Sequence, residues 1–323
     1  MILTITPNPA LDVSYRVGHL VPGESHRVQV TGRRAGGKGI NVAAVAATLG
    51  HEVLALAPFG GPAGEEASAD LRHRALTHRV VAAPGTTRTT VSLYNEADDL
   101  TTQLNEPGPQ WDRQSWRALT DAVVAEFGRS RPRVVVVSGS LPPGAEPDAL
   151  LRVLEAGSSA SDWLLDASGP HLLTALAAVP LIVKPNLAEL ISTFPALGVA
   201  DTARATFIGA QLLQDQGARL VIISDGPRGV IAVPPKGTGY RVWLPNPLRG
   251  NATGAGDALT AALAAAADDG AELLSGAHAG ADLPQVLRFA VAVAAAALYS
   301  PIAGDIDPDL VPALYSDVVV EEL

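Results

Sequence analysis

Six short, continuous apolar runs set the first constraint on what this chain can fold into. They lie at residues 2–6 (ILTIT), 53–59 (VLALAPF), 133–138 (RVVVVS), 163–167 (WLLDA), 181–184 (LIVK) and 219–224 (RLVIIS). Runs of Val, Ile and Leu without polar alternation are what strands buried on both faces of a parallel sheet require. Helical stretches separate them, at about 40–49, 64–76, 112–127, 147–157, 171–178, 187–193 and 203–216. Strand–helix alternation of this kind predicts right-handed βαβ units and a sheet covered by helices on both sides. The expected class is α/β, with a central, mostly parallel β-sheet flanked by helices.

Three stretches break that pattern. Residues 10–17, 27–33 and 88–106 alternate polar with apolar side chains and are rich in β-branched residues. Such strands have one wet face. The polar turn at 95–99 divides the third into a hairpin. Together they predict a small separate β-sheet, a lid built from insertions at about 10–17, 27–34 and 86–106 in a single domain spanning 1–323. The chain is hairpin-like again from 225 to 247, and helices are expected at about 255–267 and 284–299. The Gly/Ala-rich stretch 268–283 reads as a surface loop.

Composition removes several function classes. Of 323 residues, 47% are hydrophobic and 17% charged, ample for a core and unlike a disordered chain. The net charge of −10 argues against nucleic acid or an anionic membrane as partner. With no cysteine there is no disulfide, thiolate metal site or Cys nucleophile. The N-terminus has no basic start and two prolines by position 9, unlike a signal peptide. The apolar run 289–299 is shorter than the roughly 20 residues a bilayer span needs. A cytoplasmic protein is expected.

Chemistry concentrates at glycine-marked loops. There are twenty arginines but only three lysines, and two of these, Lys38 and Lys184, fall inside glycine- or proline-marked motifs. Gly32 to Lys38 matches GxxxxGK, but Gly39 stands where a phosphate-binding P-loop needs Ser or Thr for its cation. A lysine among glycines still allows backbone N–H groups and an ammonium to meet one anion. The segment NATGAGD at 251–257 precedes an alanine-rich helix. It lacks the third glycine of the dinucleotide fingerprint. As a helix cap, Asp257 would not need two glycines before it. As a phosphoryl-transfer site, the loop would form an anion hole and Asp257 would be a base toward a hydroxyl. Three more clusters lie where strands should end: SGSLPPG at 138–144, KPNLAE at 184–189 and SDGPRG at 224–229. Open α/β sheets bind ligands at strand C-termini.

These motifs, with TPNPALD at 6–12, GGKGIN at 36–41, LNEPG at 104–108 and DASG at 166–169, resemble the PfkB (ribokinase-like) carbohydrate kinase family. Within it they look most like the 1-phosphofructokinase and tagatose-6-phosphate kinase branch, to which GGKGIN and LNEPG point. The resemblance implies a ribokinase-like fold with a β-lid, ATP as phosphoryl donor, Mg²⁺, and a ketohexose phosphate as acceptor. It also implies roles for residues. Asp257 looks like the catalytic base, and Gly254, Ala255 and Gly256 like the anion hole. Asp12, Gly37, Asn41, Asn105 and Ser138 fall at acceptor-binding positions. Lys38 and Arg88 resemble the cations that hold the acceptor's existing phosphate, with Arg27 a further candidate. Lys184, Asn186, Glu189, Ser224, Gly226, Gly229 and Thr253 resemble the nucleotide-binding set, and Glu189 with Asp166 the metal-ordering pair. The chain departs from the common form at Ala252, where Thr is usual, and carries charges at Asp225 and Arg228. A homodimer through the lid is implied. Fructose 6-phosphate, an unphosphorylated sugar or a nucleoside remain open as acceptors, and a non-catalytic sugar or nucleotide sensor remains open as a class.

Overall fold

The structure, a computed structural model, describes residues 1–323 except 180, 200, 201, 237 and 274–278. The described elements run β1 (Ile2–Ile5), β2 (Ala10–Val17), β3 (Gln29–Gly36), α1 (Lys38–Thr48), β4 (Val53–Phe59), α2 (Gly61–His73), β5 (His78–Ala82), β6 (Arg88–Asn95), β7 (Leu100–Asn105), α3 (Arg113–Ser130), β8 (Val134–Ser138) and α4 (Ala149–Glu155). They continue β9 (Asp162–Asp166), α5 (Pro170–Ala175), β10 (Leu181–Val183), α6 (Leu187–Thr193), α7 (Thr202–Asp215), β11 (Ala218–Ser224), β12 (Val230–Val233), β13 (Tyr240–Trp243), α8 (Ala255–Asp268), α9 (Ala279–Ala297), α10 (Val311–Asp317) and β14 (Val319–Glu322).

The large sheet has the order β14-β13-β12-β11-β10-β9-β8-β1-β4-β5. From β11 through to β5 neighbours pair in parallel, and β12, β13 and β14 each join antiparallel. Alternate residues of each strand feed opposite cores. Val134 and Val136 pack with α1, α2, α8, α9 and α10, whereas Val135 and Val137 pack with α3 to α7. All five residues of β8 are buried, which explains why its sequence is an unbroken apolar run.

The second sheet has the order β3-β2-β6-β7. Here β2 pairs antiparallel with β3 and parallel with β6, and β6 forms the expected hairpin with β7. Every residue of β7 is exposed. The α/β architecture and the second small sheet match the sequence expectation. Two differences matter. Strand β5 and strand β14, at the edges of the large sheet, have mixed burial and carry no continuous apolar run. Helix α9 begins at Ala279, which leaves 269–273 as the described part of the expected 268–283 loop; 274–278 lie outside the described residues. Among the described residues, no helix is long and apolar enough to cross a membrane.

Helix α8 is buried almost all round by α1 and α9. Its alanines let those helices approach closely. Ala262, fully buried there, has no room for a larger side chain. Ala262→Leu is expected to cost about 1–3 kcal/mol by overpacking, while Val124→Ala on the exposed face of α3 stays within about 0.5 kcal/mol. Urea midpoints of the two variants test the difference.

Candidate active site

The polar clusters come together in one cleft of about 1300 Å³ between the ends of the parallel strands and the small sheet. Its floor is built from strand ends, because that is where the backbone turns and frees polar groups to face a ligand. Asp166 ends β9, Ser138 ends β8, Lys184 follows β10 and Ser224 ends β11.

Asp166 is the deepest charge, 1% exposed. Lys38 Nζ lies 3.3 Å from its Oδ1, Lys184 Nζ lies 3.3 Å from its Oδ2, and Ser138 Oγ donates to Oδ2 at 3.2 Å. Burial pushes the Asp166 carboxyl up, but the Lys184 and Lys38 charges outweigh it and hold the group below its usual value. Burial likewise works to lower Lys38, and Asp166, Glu189 and Asp257 overcome it and hold the ammonium above its usual value. Lys38 also donates to Glu189 Oε1 at 2.9 Å.

Asn186 and Glu189 form a capping box on α6. Glu189 N donates to Asn186 Oδ1 at 2.8 Å, and Asn186 N donates to Glu189 Oε2 at 2.9 Å. The cap fixes one oxygen of Glu189 and turns the other toward Lys38.

Two helix N-termini face the cleft. Gly37 caps α1 and Gly254 caps α8, each at positive φ, 112° and 87°. Gly254 also lies against Ala303, so a Cβ there would collide with backbone. Neither terminus is closed by a side-chain cap, which leaves N–H groups open to an anion. Asp257, in the first turn of α8, is 6% exposed and accepts from Asn41 Nδ2 of α1 at 2.8 Å. Burial, reinforced by the Asp166 charge, raises its pKa to about 7 against the pull of Asn41, Lys38 and Lys184.

The small sheet brings a second charge group. Asp12 of β2 packs against Gly36, where any Cβ would occupy the carboxylate's position. Burial raises the Asp12 pKa to about 6, partly offset by Arg88, Arg34 and a hydrogen bond from Thr90. Arg88 Nε donates to Asn8 O at 3.1 Å and Nη1 to Glu106 O at 3.2 Å.

Most residues singled out from sequence line this cleft: Asp12, Gly37, Lys38, Asn41, Arg88, Asn105, Asp166, Lys184, Asn186, Glu189, Ser224, Thr253, Gly254, Gly256 and Asp257. Ser138 lies beneath, on Asp166. Ala255, Gly226 and Gly229 are adjacent in sequence to lining residues or their loops but do not line it, and Arg27 is exposed and outside it. Lys38 sits with Asp166 and Glu189, whereas Arg88 sits with Asp12, so the two cations fall in different charge groups. Asn8, Arg34 and Gln103 also line the cleft and were not singled out. Asn8 lies inside the TPNPALD motif; Arg34 and Gln103 lie on alternating strands, where only the register reveals which side they face.

Fold and site together define a phosphotransferase cleft: paired lysines, two open helix N-termini and a carboxylate with a raised pKa. The family model for pfkB family carbohydrate kinases matches residues 8–309. A 1-phosphofructokinase of Xanthomonas campestris pv. campestris is 34% identical over 323 residues, covering 98% of this chain and 97% of that protein. Phosphofructokinase-2 from Escherichia coli in complex with fructose-6-phosphate superposes with a TM-score of 0.82 at 29% identity, covering 98% of each chain. A possible 1-phosphofructokinase from Thermotoga maritima has the same fold, with a TM-score of 0.85 at 22% identity over 100% of this chain and 99% of that one. The chain belongs to the pfkB family of carbohydrate kinases, and it is an enzyme that transfers a phosphoryl group to an alcohol.

The raised pKa of Asp257 has a consequence for stability. The folded state binds this proton more tightly than the unfolded chain, whose value is near 3.8. The group therefore costs stability that is fully felt above about pH 7 and fades as pH falls toward 3.8. Asp257→Asn, which keeps an acceptor for Asn41, is expected to raise Tm at pH 8 and to raise it much less at pH 4.5. Thermal unfolding at the two pH values checks this.

Proposed function

We propose that this kinase transfers the γ-phosphoryl group of ATP to a free hydroxyl of a ketohexose monophosphate, in the manner of a 1-phosphofructokinase, giving a ketohexose bisphosphate and ADP. The observation that carries the reading is the placement of Asp257. Its carboxylate sits in the first turn of α8, hydrogen-bonded to Asn41 and beside the open N–H groups at Gly254 to Gly256. In this reading Asp257 accepts the hydroxyl proton as the acceptor oxygen bonds to the γ-phosphorus, and the bond from that phosphorus to the β–γ bridging oxygen of ATP breaks. A pKa near 7 suits a base that must take a proton and later return it to water. Asn41 fixes the carboxylate's orientation.

The charge of the transferring group needs neutralising along its path. Lys184 supports this role, because its Nζ lies close to Gly256 at the helix start. Lys38, tied to Asp166 and Glu189, belongs to the same donor-side group. The acceptor's resident phosphate then falls to Arg88 with Arg34, both half-buried beside Asp12, while Asp12, Gly37, Asn41 and Asn105 orient its hydroxyls. Asn186, Ser224 and Thr253 line the donor end. Among the described residues no three carboxylates or histidines gather as a ready metal site. Both Asp166 oxygens and both Glu189 oxygens already have partners. Glu189, with Asp166 behind it, would hold Mg²⁺ together with the ATP phosphates, and the ion would supply charge neutralisation on those phosphates.

ADP release with ATP and Mg²⁺ tests the reading against fructose 1-phosphate, fructose 6-phosphate, tagatose 6-phosphate and free fructose. Turnover is expected with a phosphosugar, best with fructose 1-phosphate, and Asp257→Asn is expected to lower kcat by at least about 100-fold. Arg88→Ala should raise KM for the phosphosugar at least about tenfold and leave KM for ATP nearly unchanged. The rate should fall as pH drops below about 7, because the proton on Asp257 removes the base. Turnover with free fructose alone would overturn the role of Arg88.

We also propose that two copies pair through the small sheet. Val28 and Val30, at and beside β3, are 41% and 56% exposed, and Leu100 and Leu104 on β7 are 62% and 59% exposed. Both strands are open edges, which need cover. A dimer mass that Val30→Lys with Leu104→Lys converts to a monomer mass is the expected result; a monomer at all concentrations would reject the pairing.

A further inference from the structure

The hairpin of β6 and β7 makes one side-chain contact with the loop before α8. Gln103 Nε2 donates to Thr253 Oγ1 at 2.9 Å, across 150 residues of sequence. Its position on the strand is not accidental. On β7, Thr101, Gln103 and Asn105 alternate toward the cleft, while Leu100 and Leu104 are the exposed apolar residues of the strand. Register sets Gln103 opposite Ser92 and Asn105 opposite Thr90, so β6 contributes Thr90, Ser92 and Tyr94 to the same wall.

The loop that receives the bond is otherwise fixed from below. Thr253 N donates to Asn251 Oδ1 at 3.1 Å, and Asn251 Nδ2 donates to Pro301 O at 3.1 Å. Gly254 then rests against Ala303. Above the loop, the Thr253 hydroxyl accepts the bond from Gln103. Strand β7 has little else to hold it: it pairs only with β6, and all its residues are exposed. The contact is therefore placed to join an easily moved strand to the backbone that opens the α8 N-terminus.

We propose that Gln103 is a positioning residue that latches the small sheet onto the loop at Thr253, so that the anion hole at Gly254 is set only when the sheet covers the acceptor. The proposal rests on the kinase reading above. It couples acceptor binding to a competent phosphoryl site and keeps water from taking the acceptor's place. Water attack on the γ-phosphorus would release ADP and inorganic phosphate with no bisphosphate formed.

The test uses the full chain and three variants: Gln103→Ala, Thr253→Val and the double substitution. One neutral hydrogen bond is worth enough to change a rate about 3- to 10-fold. Gln103→Ala is expected to lower kcat by that factor, to leave KM for ATP and Tm nearly unchanged, and to raise the ADP formed per bisphosphate above one. The double variant is expected to be no slower than the slower single variant, because both remove the same bond. Amide hydrogen exchange at residues 100–105 is expected to be faster in Gln103→Ala than in the parent. Unchanged kcat, stoichiometry and exchange in Gln103→Ala would overturn the latch, and so would single-variant effects that simply multiply. If the parent itself shows no turnover with any phosphosugar, the kinase reading for that substrate class fails, and equal exchange rates in parent and variant would still reject the latch on their own.

Discussion

The site depends on the pairing of one buried carboxylate. Asp166 is almost completely removed from water, and an isolated charge there would be very costly. It is tolerable because Lys184 and Lys38 approach it from two sides and Ser138 donates to it. The lysines are thereby fixed in turn: one follows β10, the other opens α1. Three chain segments distant in sequence are held at one point by charge, and the point lies at the C-terminal edge of the sheet. Removing either lysine would leave the buried carboxylate with one cation instead of two, so the members of the cluster depend on one another. Its negative member also reaches Asp257, where it adds to burial in raising the proton affinity of the neighbouring carboxylate.

Packing behind the site does related work. Helix α8 packs against both α1 and α9. Many of the buried residues of α1 and α8 are alanine, which permits short distances between helix axes. As a result both helices begin at the same wall of the cleft, and Asn41 of one reaches Asp257 of the other. The open N-termini are therefore a product of core composition as much as of the glycine loops. A bulkier core would separate the helices and with them the hydrogen bond that orients the carboxylate.

Legibility in the sequence followed burial. Strands enclosed on both faces show as apolar runs, and β8 is the clearest case. Strands β5 and β14 were not visible because an edge strand has one neighbour and a wet side, so no continuous run is needed. The start of α1 was placed two residues late: Gly37 and Gly39 read as loop, yet only Gly37 lies outside the helix and Lys38 already belongs to its first turn. Site residues carried by glycine loops were legible because their spacing is unusual. Arg34 and Gln103 were not, because a polar residue on an alternating strand looks the same whichever face it occupies. For β3 the pairing also shifts register between Ser14 and Tyr15, which no local pattern signals.

The two halves of the cleft are joined close to the residues that do the chemistry. Gly36 ends β3 beneath Asp12, and two residues later Lys38 pairs with Asp166 and Glu189. Within that short span the backbone passes from the small sheet to α1, which packs on the large one. On the opposite side Gln103 Nε2 donates to Thr253 Oγ1. The sheet is also tied to the core by residues 6–9 between β1 and β2, by residues 83–87 between β5 and β6, and by the Arg33–Glu66 ion pair to α2. The cleft thus has two walls of different origin: the Asp12 and Arg88 group belongs to the small sheet, while Asp257 and the lysines belong to the core.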